Sequence, residues 1–210
     1  MYLYGASGHC KVIIDIVKSS TNKIIEGIFD DNTAIKTVLK YPVSKFDNYK
    51  FDALNELIIS IGNNKFRKNI ADKINANYIN VFHKTAVVSE FSRIGKGTVV
   101  MPGVVINSAA VIGKHCIINS RAVVEHDCVL ADFVHVSPNA SIAGNVEIGI
   151  GSHIGIGATV IQGVKIGKWV TVGAGAVVLK DIPDGVTVVG NPAKVIKTNS
   201  EPFGYAQDEK

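Results

Sequence analysis

The triplet Glu125-His126-Asp127 concentrates acid–base chemistry in one place. A histidine beside carboxylates can be held in one tautomer and made more basic, the arrangement a general base needs near neutral pH. The plainer reading is a solvated surface histidine. A second cluster is Gly5-Ala6-Ser7-Gly8-His9, where glycines permit close backbone approach and the free N–H groups of a first helical turn favour a phosphate or other polar group. Asp30 and Asp31 end a later apolar run, and Ile61-Gly62-Asn63-Asn64 ends another. Three such ends would meet at one sheet edge, where open α/β sheets bind ligands. Read structurally, Asp30 and Asp31 are turn residues and Asn63 caps the next helix. His135 and His153 lie 18 residues apart with no carboxylate in register, which argues against a metal site. His115 follows Lys114 at a turn and reads as solvated or interfacial. Cys10, Cys116 and Cys128 form no CxxC pair and read as inert packing.

The elements that must carry these residues differ in two halves. From Ala86 the chain divides without a gap into sixteen hexads, from AVVSEF to AVVLKD, each with Val, Ile or Leu third and a small residue or Val first. Gly follows the third position at Gly95, Gly113, Gly149, Gly155, Gly167 and Gly173. A six-residue unit is a short strand plus a tight turn. Three units close a triangular coil of 18 residues, and coils stack at roughly 4.8 Å. On this period His126 lies directly below Gly144, a position without a side chain that leaves room for a ligand. His135 and His153 stack on an outer face, while Phe133 and Trp169 point outward and suggest association.

Residues 1–85 hold 4 of the 20 glycines and residues 86–197 hold 15, so a second kind of domain precedes the hexads. MYLYG reads as a strand, and SGHCKVIIDIVKSS as a helix with Val12, Ile13, Ile16 and Val17 on its apolar face. KIIEGIFDD, LIISIG and YINVF read as strands and NKFRKNIADKIN as a second helix. The expected fold is therefore an α/β N-terminal domain with a small parallel sheet over 1–85, followed by an all-β parallel β-helix over 86–197 with a C-terminal cap. A polar tail occupies 198–210. The 22 Lys+Arg against 18 Asp+Glu give +4, without the concentrated basic face that nucleic acid requires. The lack of a long apolar run or an export signal at the start, with an odd number of unpaired cysteines, leads to the expectation of a cytoplasmic protein with no membrane insertion.

The chain resembles the sugar acyltransferases of the PglD and NeuD type. The likeness is carried by GASGHCK, the hexapeptide repeats, AVVEHDCVL, VHVSPNASIAGNVEIG and GAGAVVLKDIPDGVTVVGNPAKVIK, which together span nearly the whole chain. It implies a left-handed β-helix, a homotrimer with active sites between subunits, acetyl-CoA as co-substrate, a nucleotide-linked amino sugar as acceptor and no metal. By the same resemblance His126 is the general base, Asp127 its orienting acid and Glu125 a second carboxylate. His135, Gly144, Gly173, Pro192 and Lys194 would meet acetyl-CoA, with the Gly144 N–H on the acetyl carbonyl. Gly8, His9, Asp30, Asp31, Gly62 and Asn63 would hold the nucleotide, and Asn119 would approach the sugar. The implied reaction is direct transfer of acetyl to the 4-amino group of a 4-amino-4,6-dideoxy sugar, carried by UDP first and otherwise by dTDP or GDP. O-acetylation of sialic acid or a related sugar is the alternative. A zinc-dependent carbonic anhydrase-like trimer and a noncatalytic nucleotide-sugar sensor are the remaining readings.

Overall fold

The computed structural model describes residues 1–198 except 33, 48–50 and 52–53. The N-terminal elements are β1 (Tyr2–Tyr4), α1 (Gly8–Ser20), β2 (Gly27–Phe29), β3 (Thr37–Val38), β4 (Tyr41–Ser44), β5 (Glu56–Ile59), α2 (Asn64–Lys73) and β6 (Asn77–Tyr78). They form a sheet in the order β3-β4-β2-β1-β5-β6. β2 and β5 flank β1 in parallel register, so the chain reverses its direction of travel across the sheet at β1. The carboxyl ends of these three strands share an edge, the usual ligand position in such sheets. α1 buries Cys10, Ile13, Ile14, Ile16 and Val17. Val12, expected on the apolar face, is 37% exposed; its place against the core is taken by Cys10 and Ile14.

The run YINVF is not one strand. Asn77–Tyr78 closes the N-terminal sheet, whereas Val81–Phe82 pairs with Val99–Val100 and opens the first face of the β-helix. From there a two-residue strand recurs every six residues, and each pairs in parallel with the strand 18 residues on, as in Val105↔Val123 and Val111↔Val129. Three sheets result. The first face starts at Val81, the second at Val87 and the third at Arg93. Third-position aliphatics from Val100 to Val178 fill the prism, with the first-position residues from Thr98 to Ala176 beside them, all buried.

The sixth position of the hexads is the left-handed turn. Ala109, His115, Arg121, Asp127, Phe133, Asn139, Asn145 and Trp169 all have φ between 53° and 61° there. Fourth-position glycines serve a different need: a Cβ on Gly113 would lie 2.5 Å from the Asp132 backbone nitrogen in the next coil. Val186–Val189 adds to the first face, and Lys194–Thr198 turns back antiparallel on it. The polar tail expected from residue 198 lies outside the described residues except for Thr198, which ends the last strand.

Candidate active site

The corner between the second and third faces carries the acid–base triplet. Asp127 occupies the left-handed turn position (φ 59°), which returns its carboxylate to its neighbour, and His126 Nδ1 lies 2.7 Å from Asp127 Oδ2. An ionised carboxylate only accepts, so Nδ1 carries the proton and Nε2 is left as a base. Both side chains are more than half exposed. A Cβ on Gly144 would fall 2.6 Å from His126 Cε1 and 2.8 Å from Nε2. The space that Gly144 leaves, expected to admit a ligand, is thus taken by the imidazole itself. Glu125 does not bond to His126. Its Oε2 accepts from Asn107 Nδ2 at 2.7 Å, one coil earlier. Among the described residues the Gly144 N–H meets no acceptor, while its carbonyl accepts from Gly163.

The other histidines gather where the N-terminal domain docks on the first face. Arg67 of α2 is 1% exposed. Its guanidinium donates to the carbonyls of His115, Ile61, Gly62 and Phe133 and to Asn64 Oδ1, at 2.8 to 3.1 Å. Asn64 in turn donates to the carbonyls of Gly151 and Ser152. His115, expected to be solvated or interfacial, and Phe133, expected to point outward, are 5% and 6% exposed and stack with centroids 5.2 Å apart. The expected outward-facing Phe133 therefore serves the contact within one chain; α2 covers it. His135 and His153 stack as the 18-residue period requires, 4.7 Å apart and 8° from parallel. His135 Nε2 accepts from Asn119 Nδ2 at 3.1 Å, because Asn119 Oδ1 is engaged by the Ser120 N–H. Ser137 Oγ lies 2.7 Å from His153 Nε2.

Burial, followed by the nearby Arg67 cation, pushes His9, His115 and His153 down to about 4. His135 is held well below the usual histidine range by burial first, then by His153, Arg67 and His9, against a hydrogen bond to the Gly62 carbonyl. These rings are neutral around a permanent charge. His9 Nε2 is enclosed without a hydrogen-bond partner among the described residues. Burial also raises the thiols of Cys10 to about 11 and Cys116 to about 12, and raises Cys128, as inert packing requires.

At the sheet edge, Asp30 spends both oxygens on the chain: Oδ2 accepts from the Ala6 N–H at 2.6 Å and Oδ1 from the Asn32 N–H at 2.7 Å. Asp31 Oδ1 accepts from the Tyr4 hydroxyl at 2.8 Å. Asn63 caps α2, accepting from Lys65 and Phe66. Gly8 and Gly62 have open space where a side chain would stand. Gly173 faces Val189 at the corner between the first and second faces. Lys194 lines a groove with Lys180, Asp181 and Pro183 at the chain's far end. Lys180 belongs to the His126 column, three coils on, or about 14 Å. Pro192 stands exposed in the turn before the last strand.

The structure thus assembles two separate groups. His9, Gly62, Asn119 and His135 share the first-face side, whereas Glu125, His126, Asp127 and Gly144 occupy the corner opposite that face. Among the described residues, no cluster of three or more His, Cys, Asp or Glu could hold a metal, and no helix is long and apolar enough to cross a membrane. Asn107 and Arg67 escaped sequence reasoning. Asn107 carried a usable signal, since it precedes Glu125 by one 18-residue coil.

The architecture defines a hexapeptide-repeat protein of the left-handed β-helix class. The family description "PglD N-terminal domain" matches residues 1–74, and "Bacterial transferase hexapeptide (six repeats)" matches 91–126. The chain is similar to a mutant of perosamine N-acetyltransferase from Caulobacter crescentus, solved with CoA and GDP-perosamine (36% identity, TM-score 0.86), covering 93% of this chain and 96% of that one. It is similar also to the acetyltransferase domain of PglB from Neisseria gonorrhoeae in complex with acetyl coenzyme A (36% identity, TM-score 0.84, 93% and 98% covered). UDP-N-acetylbacillosamine N-acetyltransferase of Bacillus subtilis is 37% identical over 109 residues, 47% of this chain and 50% of the relative. The chain aligns over about half the length of that curated relative. It belongs to the hexapeptide-repeat acetyltransferase family of the PglD, perosamine and bacillosamine N-acetyltransferases.

Proposed function

We propose that this chain transfers acetyl from acetyl-CoA to the 4-amino group of a nucleotide-linked 4-amino-4,6-dideoxy sugar. Its class, an acetyl-CoA-dependent N-acetyltransferase acting on a nucleotide-linked amino sugar, follows from its likeness along nearly the full chain to the relatives above. The observation that carries the chemistry is the corner dyad. His126 has Nδ1 committed to Asp127 and Nε2 free, beside the backbone N–H of Gly144 with no acceptor among the described residues. That unspent donor suits an acyl oxygen, and the lysine groove about 14 Å along the same column suits the phosphates of an extended thioester carrier.

In this reading His126 Nε2 takes the amine proton as the nitrogen bonds to the carbonyl carbon, and Asp127 stabilises the imidazolium that forms. Gly144 N–H donates to the oxygen as negative charge develops there. The C–S bond then breaks and the thiolate leaves, receiving a proton from His126. Burial and raised thiols leave no cysteine suited to an acyl-enzyme route.

Residues 1–85 serve as the nucleotide-sugar domain and 86–197 as the acetyl-transfer domain. Gly8 and Gly62 form the open part of the nucleotide edge. Asp30, Asp31 and Asn63 shape its loops through the bonds described, and His9 backs it from inside. His135, held by Asn119, lines the side toward the sugar and thioester. Gly173 and Pro192 line the path toward Lys194. Because the dyad lies opposite the first face, one chain does not close this site. A cyclic homotrimer does, with the corner of one copy facing the first-face side of the next. Three buried, unpaired thiols support a reducing compartment, so the enzyme acts in the cytoplasm.

The test is CoA release from acetyl-CoA with UDP-, dTDP- and GDP-linked 4-amino sugars and with sialic acid. Turnover with one amino sugar, falling about 10²- to 10⁴-fold in His126→Ala with an unchanged melting temperature, is the expected result. Turnover of sialic acid instead would move the assignment to O-acetylation, and nucleotide binding without turnover would make the protein a sensor.

A further inference from the structure

Glu125 stands half-buried one residue before the base, and proton transfer by His126 gives it no task. Asn107 occupies the same hexad position one coil earlier and donates Nδ2 to Glu125 Oε2 at 2.7 Å. The carboxylate can only accept, so chemistry fixes which way the amide faces. Oε1 has no hydrogen bond among the described residues. The titratable groups around this carboxylate are His126, Asp127 and Cys128, the last held protonated partly by Glu125 itself. A fixed anion with one oxygen unspent, beside a general base, favours a cationic reactant. An alkylamine is largely an ammonium ion at neutral pH, and a sugar hydroxyl is neutral.

We propose that Asn107 is a positioning residue that holds Glu125 as the anion receiving the acceptor's ammonium group, and that this pair selects an amino over a hydroxyl acceptor. The inference rests on the amino-sugar reading above and names what enforces it. The ammonium held against Glu125 gives its surplus N–H proton to water, and the carboxylate stays ionised throughout. The nitrogen lone pair is then free for attack, and the second N–H proton remains for His126.

Steady-state kinetics of the full chain and its Asn107→Ala and Glu125→Gln variants, from pH 6.5 to 9.5, test the proposal. At pH 7 both variants should raise KM for the amino sugar about tenfold, with kcat within about twofold and KM for acetyl-CoA unchanged. The ratio to wild type should close above the amine's pKa, where the substrate is neutral. A ratio that is the same at every pH, or a change confined to kcat, overturns the proposal while leaving the acetyltransferase assignment intact. A wild-type protein silent on every amino sugar overturns both. Should Asn107→Ala fail to fold, Glu125→Gln, which keeps the side-chain shape and an oxygen for Asn107, decides by the same ratio.

Discussion

The seam between the domains and the corner at His126 both turn on histidine and put it to opposite uses. At the seam Arg67 is enclosed, its donors meet carbonyls and Asn64, and four histidines around it are held neutral. At the corner His126 is 57% exposed, one ring nitrogen is committed, and the neighbouring Gly144 donor is unspent. The Arg67 donors, satisfied within the chain, hold the two parts together, whereas the exposed ring nitrogen and the unspent N–H at the corner are open to a substrate.

The contrast breaks most severely at Arg67. Arg67→Ala strands carbonyls from both domains, and should cost about 3–5 kcal/mol, read as a lower melting temperature and early proteolysis at the seam. Acid should act on the same place. A histidine near 4 when folded and near 6.5 when unfolded makes the unfolded chain bind more protons between those values. Stability is therefore full above pH 6.5 and falls as pH drops toward 4, by about 3 kcal/mol for His115 alone. Urea midpoints across this range should decline, and His115→Phe, which keeps the stack on Phe133, should flatten the decline.

The corner should respond in activity and barely in stability. Gly144 has no positive φ, so Gly144→Ala acts through its Cβ alone, which would displace the His126 ring. A loss of about 10- to 100-fold in kcat at near-constant melting temperature is expected, measured as CoA release. The smallest effect belongs to Asn63→Ala, which removes the α2 cap and should cost about 1 kcal/mol without altering KM for acetyl-CoA. A large activity loss there would give Asn63 a direct contact with the nucleotide.

The contrast was only half legible before the structure. The hexad register placed the prism interior correctly because inward positions answer to one local rule, an aliphatic at the corner and a small residue beside it. The dyad was readable because its partners are adjacent. The sixth position was misread at Phe133 and left open between solvent and interface at His115, since a side chain leaving the prism meets whatever docks there. Arg67 gave no sign, because in NKFRKNIADKIN it sits among lysines and an aspartate that look like a solvated helix face.

Periodicity by itself determined the β-helix, the strand spacing, the His135–His153 stack and the adjacency of His126 to Gly144, all consequences of an 18-residue coil that repeats. Only the tertiary structure decided which outward residues are covered and that Asp30 and Asn63 spend their side chains on loops and caps. Which outward residues are covered depends on how α2 seats against the β-helix. That contact joins residues as far apart as Asn64 and Ser152, and no local pattern encodes it.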